Sequence, residues 1–342
     1  MALGPEKRKF KKLAEHTRFV YSDNDVSEDV IKVSPYVYYT GMTYTATHYK
    51  DCSRIAFHHL IKTGRFTELN DDILHILSDY QYLNSYLIRK RLSHLRGQPE
   101  MKKEAMREVL RKMVNYGLLV QYELIHTDAN GHEQGSPFIY GLTPAGERHL
   151  REQRSWRLSN NATGITFTCS TALRILAENQ FSIMLEHQYE KSGIISYCDF
   201  SKDVYNACGI RMLYGIQLPD GGELALFVFA VRNDPDWSRL FLSQLRRLKE
   251  YMSNNQLLVA SVLVIVDTEW LSMACERCRC CENDLKGLDV FYATDTSFIM
   301  EDHVFDRLIE VKSEKNYSSR SIFRLDLEQP PQEIDAKEEG CI

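Results

Sequence analysis

Between Asn70 and Tyr116 apolar residues return every three or four positions in three successive stretches, the spacing of helices with one buried face. In the first, Ile73, Leu74, Ile76, Leu77 and Tyr80 form the stripe. Asn70 is the expected cap, and Asp71 and Asp72 occupy a first turn where the helix dipole favours acids. Asn84 caps the second, which turns Leu87, Ile88 and Leu92 inward. Gly97 and Pro99 then break the chain. The third runs from about Met101 to Tyr116 on Met106, Val109, Leu110, Met113 and Val114, and Gly117 stands where a left-handed residue would end it. The period then shortens. Leu118–Ile125 and Pro137–Leu142 read as strands around the polar, turn-rich stretch His126–Ser136, so they predict a hairpin. Thr143 caps a closing helix that begins with Pro144.

Three helices followed by a two-stranded hairpin is the order of a winged helix-turn-helix. The run Gly117-Leu-Leu, followed by Tyr140-Gly-Leu-Thr-Pro-Ala-Gly146, resembles that superfamily in its spacing. Beyond a polar stretch near Ser155–Asn161 the pattern changes again. Thr171–Gln180 is helical in period, and Ile210–Leu218 and Leu224–Val231 read as strands joined by the turn Pro219-Asp-Gly-Gly222. A helix is expected from Asp236 to about Met252, then a nearly continuous apolar strand, Leu257–Val266, that calls for burial on both faces. A further helix from about Thr268 and a strand near Asp289–Ala293 extend the alternation. Strand, helix, strand implies a parallel crossover. This second region resembles the restriction-endonuclease-like α/β fold. The two regions together resemble the replication-relaxation proteins of plasmids and conjugative elements, over roughly Phe66 to Ala293 and through element order more than through motifs.

The expected fold is therefore α+β / α/β, a winged helix-turn-helix followed by a nuclease-like α/β domain with a mixed sheet. Its expected divisions are residues 1–65, a basic arm and short extension; 66–155, the winged helix-turn-helix; 165–316, the nuclease-like domain; and 317–342, a disordered tail. Within the first, Val33–Thr47 suits extended structure and Ser53–Lys62 a short helix. From Asp326 onward the tail carries six acids against one lysine.

With 42 Lys and Arg against 47 Asp and Glu, the chain has a formal charge of -5, which excludes a uniformly basic nucleic-acid binder but not a basic patch. No apolar run is long enough for a membrane span and none follows the basic N-terminus as in a signal peptide, so a cytoplasmic protein without membrane contact is expected. The nine cysteines, an odd number, do not form a secreted disulfide framework.

Charge is unevenly distributed. Asn84–Tyr116 holds nine Lys or Arg and three acids, a local balance of +6. Duplex DNA presents one phosphate charge per ~1.7 Å of axis, so such a patch is attracted with a steep salt dependence. Arg89, Lys90 and Arg91 cluster on the second helix, while Lys102, Lys103, Arg107, Arg111 and Lys112 fall outside the third helix's apolar stripe. Arg107 and Arg111, four apart, project together and could reach neighbouring base edges. His132, with His126 and Asn130, falls on the expected wing tip. The other reading of these charges is that they solvate a winged domain used for protein contacts.

A nuclease of the resembled fold needs an acid at one strand end and acid-x-Lys on the next, so that carboxylate and ammonium share a face and hold a metal. The matching strand, Leu224–Val231, carries no ionisable residue, and the preceding one offers only Arg211. Asp199, Asp203, Glu186 and Glu190 are more in keeping with surface charges. Catalysis is therefore not expected, and neither is a cofactor.

The cluster Cys275-x-x-Cys278-x-Cys280-Cys281 contains half of a common zinc site, but no second pair follows at knuckle spacing. On a helix Cys275, Cys278 and Cys281 would share a face and pack as small apolar residues, with Glu276, Arg277 and Arg279 pointing elsewhere. Adjacent His58 and His59 do not share a helix face, which argues against a metal there. The resemblance implies an accessory DNA-binding protein of a bacterial mobile element, acting in plasmid mobilisation and conjugation, replication or transcription. Double-stranded DNA is the implied partner, and a relaxase or other transfer protein and a second copy of the chain are further ones. A metal-dependent nuclease and a protein–protein adaptor are the alternatives.

Overall fold

The computed structural model describes residues 17–22, 34–47, 52–127, 132–135, 138–152, 168–189, 194–199, 206–255, 257, 259–300, 304–305, 307–314 and 317–325. It is a mixed α+β structure with two sheets. One has five antiparallel strands and the other has eight strands of mixed direction.

The smaller sheet belongs to a mainly helical lobe. Helices α1 (Arg54–Lys62), α2 (Glu68–Tyr80), α3 (Ser85–Arg96) and α4 (Lys103–Asn115) come first, with β3 (Leu83–Asn84) between α2 and α3. Then follow β4 (Leu119–Thr127), β5 (Glu133–Gly135), β6 (Ile139–Leu142) and α5 (Pro144–Glu152). Helix α2 starts earlier than its acids suggest. Thr67 caps it, and Asn70 sits one turn in and accepts the Thr67 N–H at 2.8 Å. Asn84 caps α3 as expected, through Leu87 N–H at 2.9 Å, and Gly97 and Gly117 stand at positive φ after α3 and α4. Gly146 explains the spacing of its run: a Cβ there would lie 2.5 Å from the Leu118 carbonyl, so α5 can approach β4 this closely only without a side chain. Thr143 completes the corner, its hydroxyl donating to Gly117 O at 2.6 Å.

The larger sheet has the order β1 (Thr17–Ser22), β13 (Tyr317–Leu325), β12 (Leu308–Glu314), β11 (Asp289–Thr294), β10 (Ser261–Val266), β9 (Glu223–Ala230), β8 (Met212–Gln217), β7 (Ile195–Asp199). Strands β9, β10 and β11 are parallel and the other neighbours antiparallel. Helix α6 (Cys169–Tyr189) covers one face through Leu176, Phe181 and Leu185. Helices α7 (Trp237–Asn254) and α8 (Glu269–Cys280) cover the other through Phe241, Leu245, Leu271 and Cys275. A single turn, α9 (Ser297–Met300), follows β11. The parallel strands are buried on both faces, which is why β10 is apolar at nearly every position.

Three expectations change. Residues 317–342 do not form a tail throughout, because β13 is an interior strand of the sheet up to Leu325; the acidic stretch from Asp326 lies outside the described residues. The first 65 residues are not merely an arm. Strand β1 joins the large sheet beside β13, and β2 (Thr43–Ala46) pairs with β4, so this segment reaches both lobes. Helix α6 extends well past Gln180, to Tyr189. The apolar core is continuous from α2, α3 and α4 to α6.

Candidate nucleic-acid interface

Helix α4 buries Met106, Leu110, Met113 and Val114 and turns Lys102, Lys103, Arg107, Arg111 and Lys112 to solvent. Two acids share that side. Glu108 accepts Arg111 Nη2 at 2.7 Å and approaches Lys112 Nζ at 3.4 Å, and these cations hold its carboxyl below the usual range. Glu104 is exposed. Arg107 makes no ion pair among the described residues. The face is basic and open, so it can attract a polyanion without first breaking a buried contact.

The α3 cluster is organised differently. Arg91 lies mostly buried against α6, 3.1 Å from Glu186 Oε2, with its guanidinium over the Tyr80 ring. It holds two lobes together and cannot also lie along a groove, which corrects its expected role. Arg89 donates to the Met101 carbonyl at 3.2 Å, and Lys90 pairs with Glu100. Both brace the loop entering α4. His132 is exposed between β4 and β5, while Asn130 lies outside the described residues. His126 is not at a tip. It sits within β4 and stacks on Tyr39, ring centroids 4.1 Å apart.

In the α/β lobe, the buried carboxylates are engaged by the chain's own groups. Glu178, buried on α6, accepts Arg211 Nη1 at 3.0 Å and the Ala230 N–H at 3.1 Å, so both its oxygens are engaged. Past the ends of the parallel strands, Arg232 and Asp295 are fully buried and paired at 2.8 Å, and Ser34 donates to the same carboxylate oxygen at 2.7 Å. Burial raises the Asp295 carboxyl above its ordinary value, against the pull of Arg232. Glu186 is not a surface charge either, since it accepts Tyr80 OH at 2.8 Å and Ser182 Oγ at 3.0 Å. Asp199 lies on β7, and Asp203 and Glu190 fall outside the described residues.

The cysteines also divide by burial. Cys275 lies in the core, Cys278 and Cys280 are half-buried, and Cys281 is exposed. Burial raises the thiols of Cys275, Cys278 and Cys280. Glu276 points inward, against expectation. It accepts Arg279 Nε at 2.8 Å and Tyr292 OH at 3.0 Å, so the arginine neutralises it inside the lobe. Among the described residues no group of three or more His, Cys, Asp or Glu is placed to hold a metal, and no helix is long and apolar enough to cross a membrane.

The residues that sequence reasoning missed are Ser34 and Asn179, which reach across between the lobes, and the buried pair Arg232 and Asp295 inside the α/β lobe. The available signal was the polar run Glu178-Asn-Gln180 inside an apolar helix, which reads as a helix end until its partners are known. Compared with the models of known protein families, with curated proteins and with solved structures, the chain finds no match.

Proposed function

We propose that this chain binds duplex DNA through a winged helix-turn-helix formed by α2–α5, with α4 as the base-reading helix. The observation that carries the reading is the solvent face of α4, where five cationic side chains are open although the chain as a whole is acidic. An adaptor would cover this helix with the chain itself, but α6 packs on α3 and leaves the α4 face free. Phosphate contacts from Lys102 and Lys103 would orient the helix, and Arg107 and Arg111 would meet base edges.

The α/β lobe, on this reading, is a nuclease-like scaffold that does not cut. Its β9 strand carries no acid-x-Lys, and Arg211 occupies Glu178 as a fixed internal cation. Such a protein suits the replication-relaxation type of accessory factor, acting beside a relaxase or another transfer protein on a mobile element.

The test is a salt titration of labelled duplex binding by the full chain. Arg107→Glu with Arg111→Glu should abolish specific binding, and Lys102→Ala should flatten the salt slope by ~0.9 per lost phosphate contact. Undiminished binding by the double variant would sink the proposal in favour of protein contact. Magnesium-dependent cleavage lost in Glu178→Gln would restore the nuclease reading.

A further inference from the structure

Gln81, between α2 and β3, has φ 68° and ψ -59°. The Tyr82 N–H turns back to the Tyr80 carbonyl at 2.8 Å, so the chain makes a γ-turn of the rare, strained hand. A residue with a Cβ persists there only when its surroundings over-determine the conformation. Nothing within α2 supplies that hold beyond the Gln81 N–H bond to Leu77 O at 2.9 Å, which closes the helix.

Beyond the pairing of β3 with β6 two residues on, the hold across the turn comes from the other lobe. Asn179 on α6, fully buried, donates through Nδ2 to the Tyr80 carbonyl at 2.7 Å and to the Tyr82 carbonyl at 2.8 Å. Two carbonyl acceptors on either side of Gln81 fix which way that amide faces, because only its NH2 can donate. Three further contacts fasten the same stretch: Tyr80 OH to Glu186, Arg91 to Glu186, and Asn84 Nδ2 to Tyr36 OH at 3.2 Å. The turn leads through β3 into α3, and α3 packs on α4.

We infer that Asn179 is a positioning residue that clamps the strained Gln81 turn and so sets the pose of α3 and α4. The α/β lobe is then a working part of the reading head. The functional half of this inference rests on the DNA reading; the conformational half does not.

The experiment is a double-mutant cycle in the full chain using Asn179→Ala and Gln81→Gly. Glycine adopts positive φ without the side-chain penalty, so it should remove the need for the clamp. Asn179→Ala should raise amide exchange at Tyr82 and along α3 roughly 10-fold and weaken duplex binding by about the same factor. In the Gln81→Gly background the same substitution should change either reading less than about 3-fold. Plain loss of packing at Asn179 would not be rescued by a glycine in the turn after α2.

Equal losses in both backgrounds, or no change in exchange on Asn179→Ala, overturn the inference. Should Asn179→Ala not fold, the double variant must fold if strain is the reason, and its failure overturns the inference equally. If the unaltered chain binds no duplex, the DNA reading falls alone, and exchange at Tyr82 still decides the clamp.

Discussion

The two lobes use charge in opposite ways. Along α4 and its N-cap five cations face water, and of these Arg111 and Lys112 lean on half-buried Glu108. In the α/β lobe, Glu178 with Arg211, Arg232 with Asp295, and Glu276 with Arg279 are paired inside the fold. Exposed pairs contribute little to stability and exchange partners readily, whereas a buried ion deprived of its partner is costly. The cations on the outer face of α4 are thus available to a ligand, whereas Arg211, Arg232 and Arg279 are committed to the chain.

The largest effect should come from the buried pair. Arg232→Ala should lower stability by ~3–5 kcal/mol, while Arg232→Met with Asp295→Leu should cost clearly less, by urea unfolding. If the single variant unfolds like the unaltered protein, the contrast between the lobes fails. pH sharpens the point. The Asp295 carboxyl titrates above its ordinary 3.8 in the folded chain, so the native state binds the proton more tightly than the unfolded one. Stability associated with this group is complete below that ordinary value and is lost as pH rises through the folded pKa. Asp295→Asn should remove this slope in melting curves taken from acid to neutrality.

Next come two arginines of the helical lobe with different fates. Arg91→Ala strands Glu186 and should cost ~1–3 kcal/mol of stability. Arg107→Ala should leave the Tm unchanged and instead cost ~1–3 kcal/mol of binding at one position of the DNA site. A reversed pattern, with Arg107 stabilising and Arg91 neutral, would break the comparison within this lobe.

The smallest effect is chemical. Alkylation followed by mass spectrometry should label exposed Cys281 first and core Cys275 last, since the thiolate is the reacting form and burial raises the Cys275 thiol. Uniform labelling would show that α8 does not shield its inner face. Zinc content below about one ion per chain is expected from the same cluster, and metal analysis before and after Cys275→Ser with Cys278→Ser checks it.

Local signals located the elements of the helical lobe well. Asn84, Gly97, Gly117 and Thr143 cap or stop their helices through contacts within a few residues or across one corner, so the spacing carried them. The α4 stripe separated Met106 and Leu110 from Arg107 and Arg111 because a helix exposes one face to water. Helix α6 was truncated at Gln180 because buried Glu178, Asn179, Ser182 and Glu186 interrupt its apolar period. Their partners, Arg211, Tyr82, Tyr214 and Arg91, are 32 to 97 residues away, too far for any local pattern to register.

What the sequence alone determined, then, was the alternation of helices and strands, the apolar strands β9 and β10, and the basic outer face of α4. These depend on period and on burial of one side, which neighbouring residues encode. Tertiary structure decided which charges stay free. Arg91 and Arg107 look alike along the chain, yet only one meets a carboxylate brought in by α6. Tertiary structure also decided that residues 17–22 and 317–325 pair as neighbouring strands, and that Asn179 reaches the Gln81 turn. Each of these joins groups far apart in the chain, and for Arg91 and Asn179 it is burial that makes the contact stronger than contact with water.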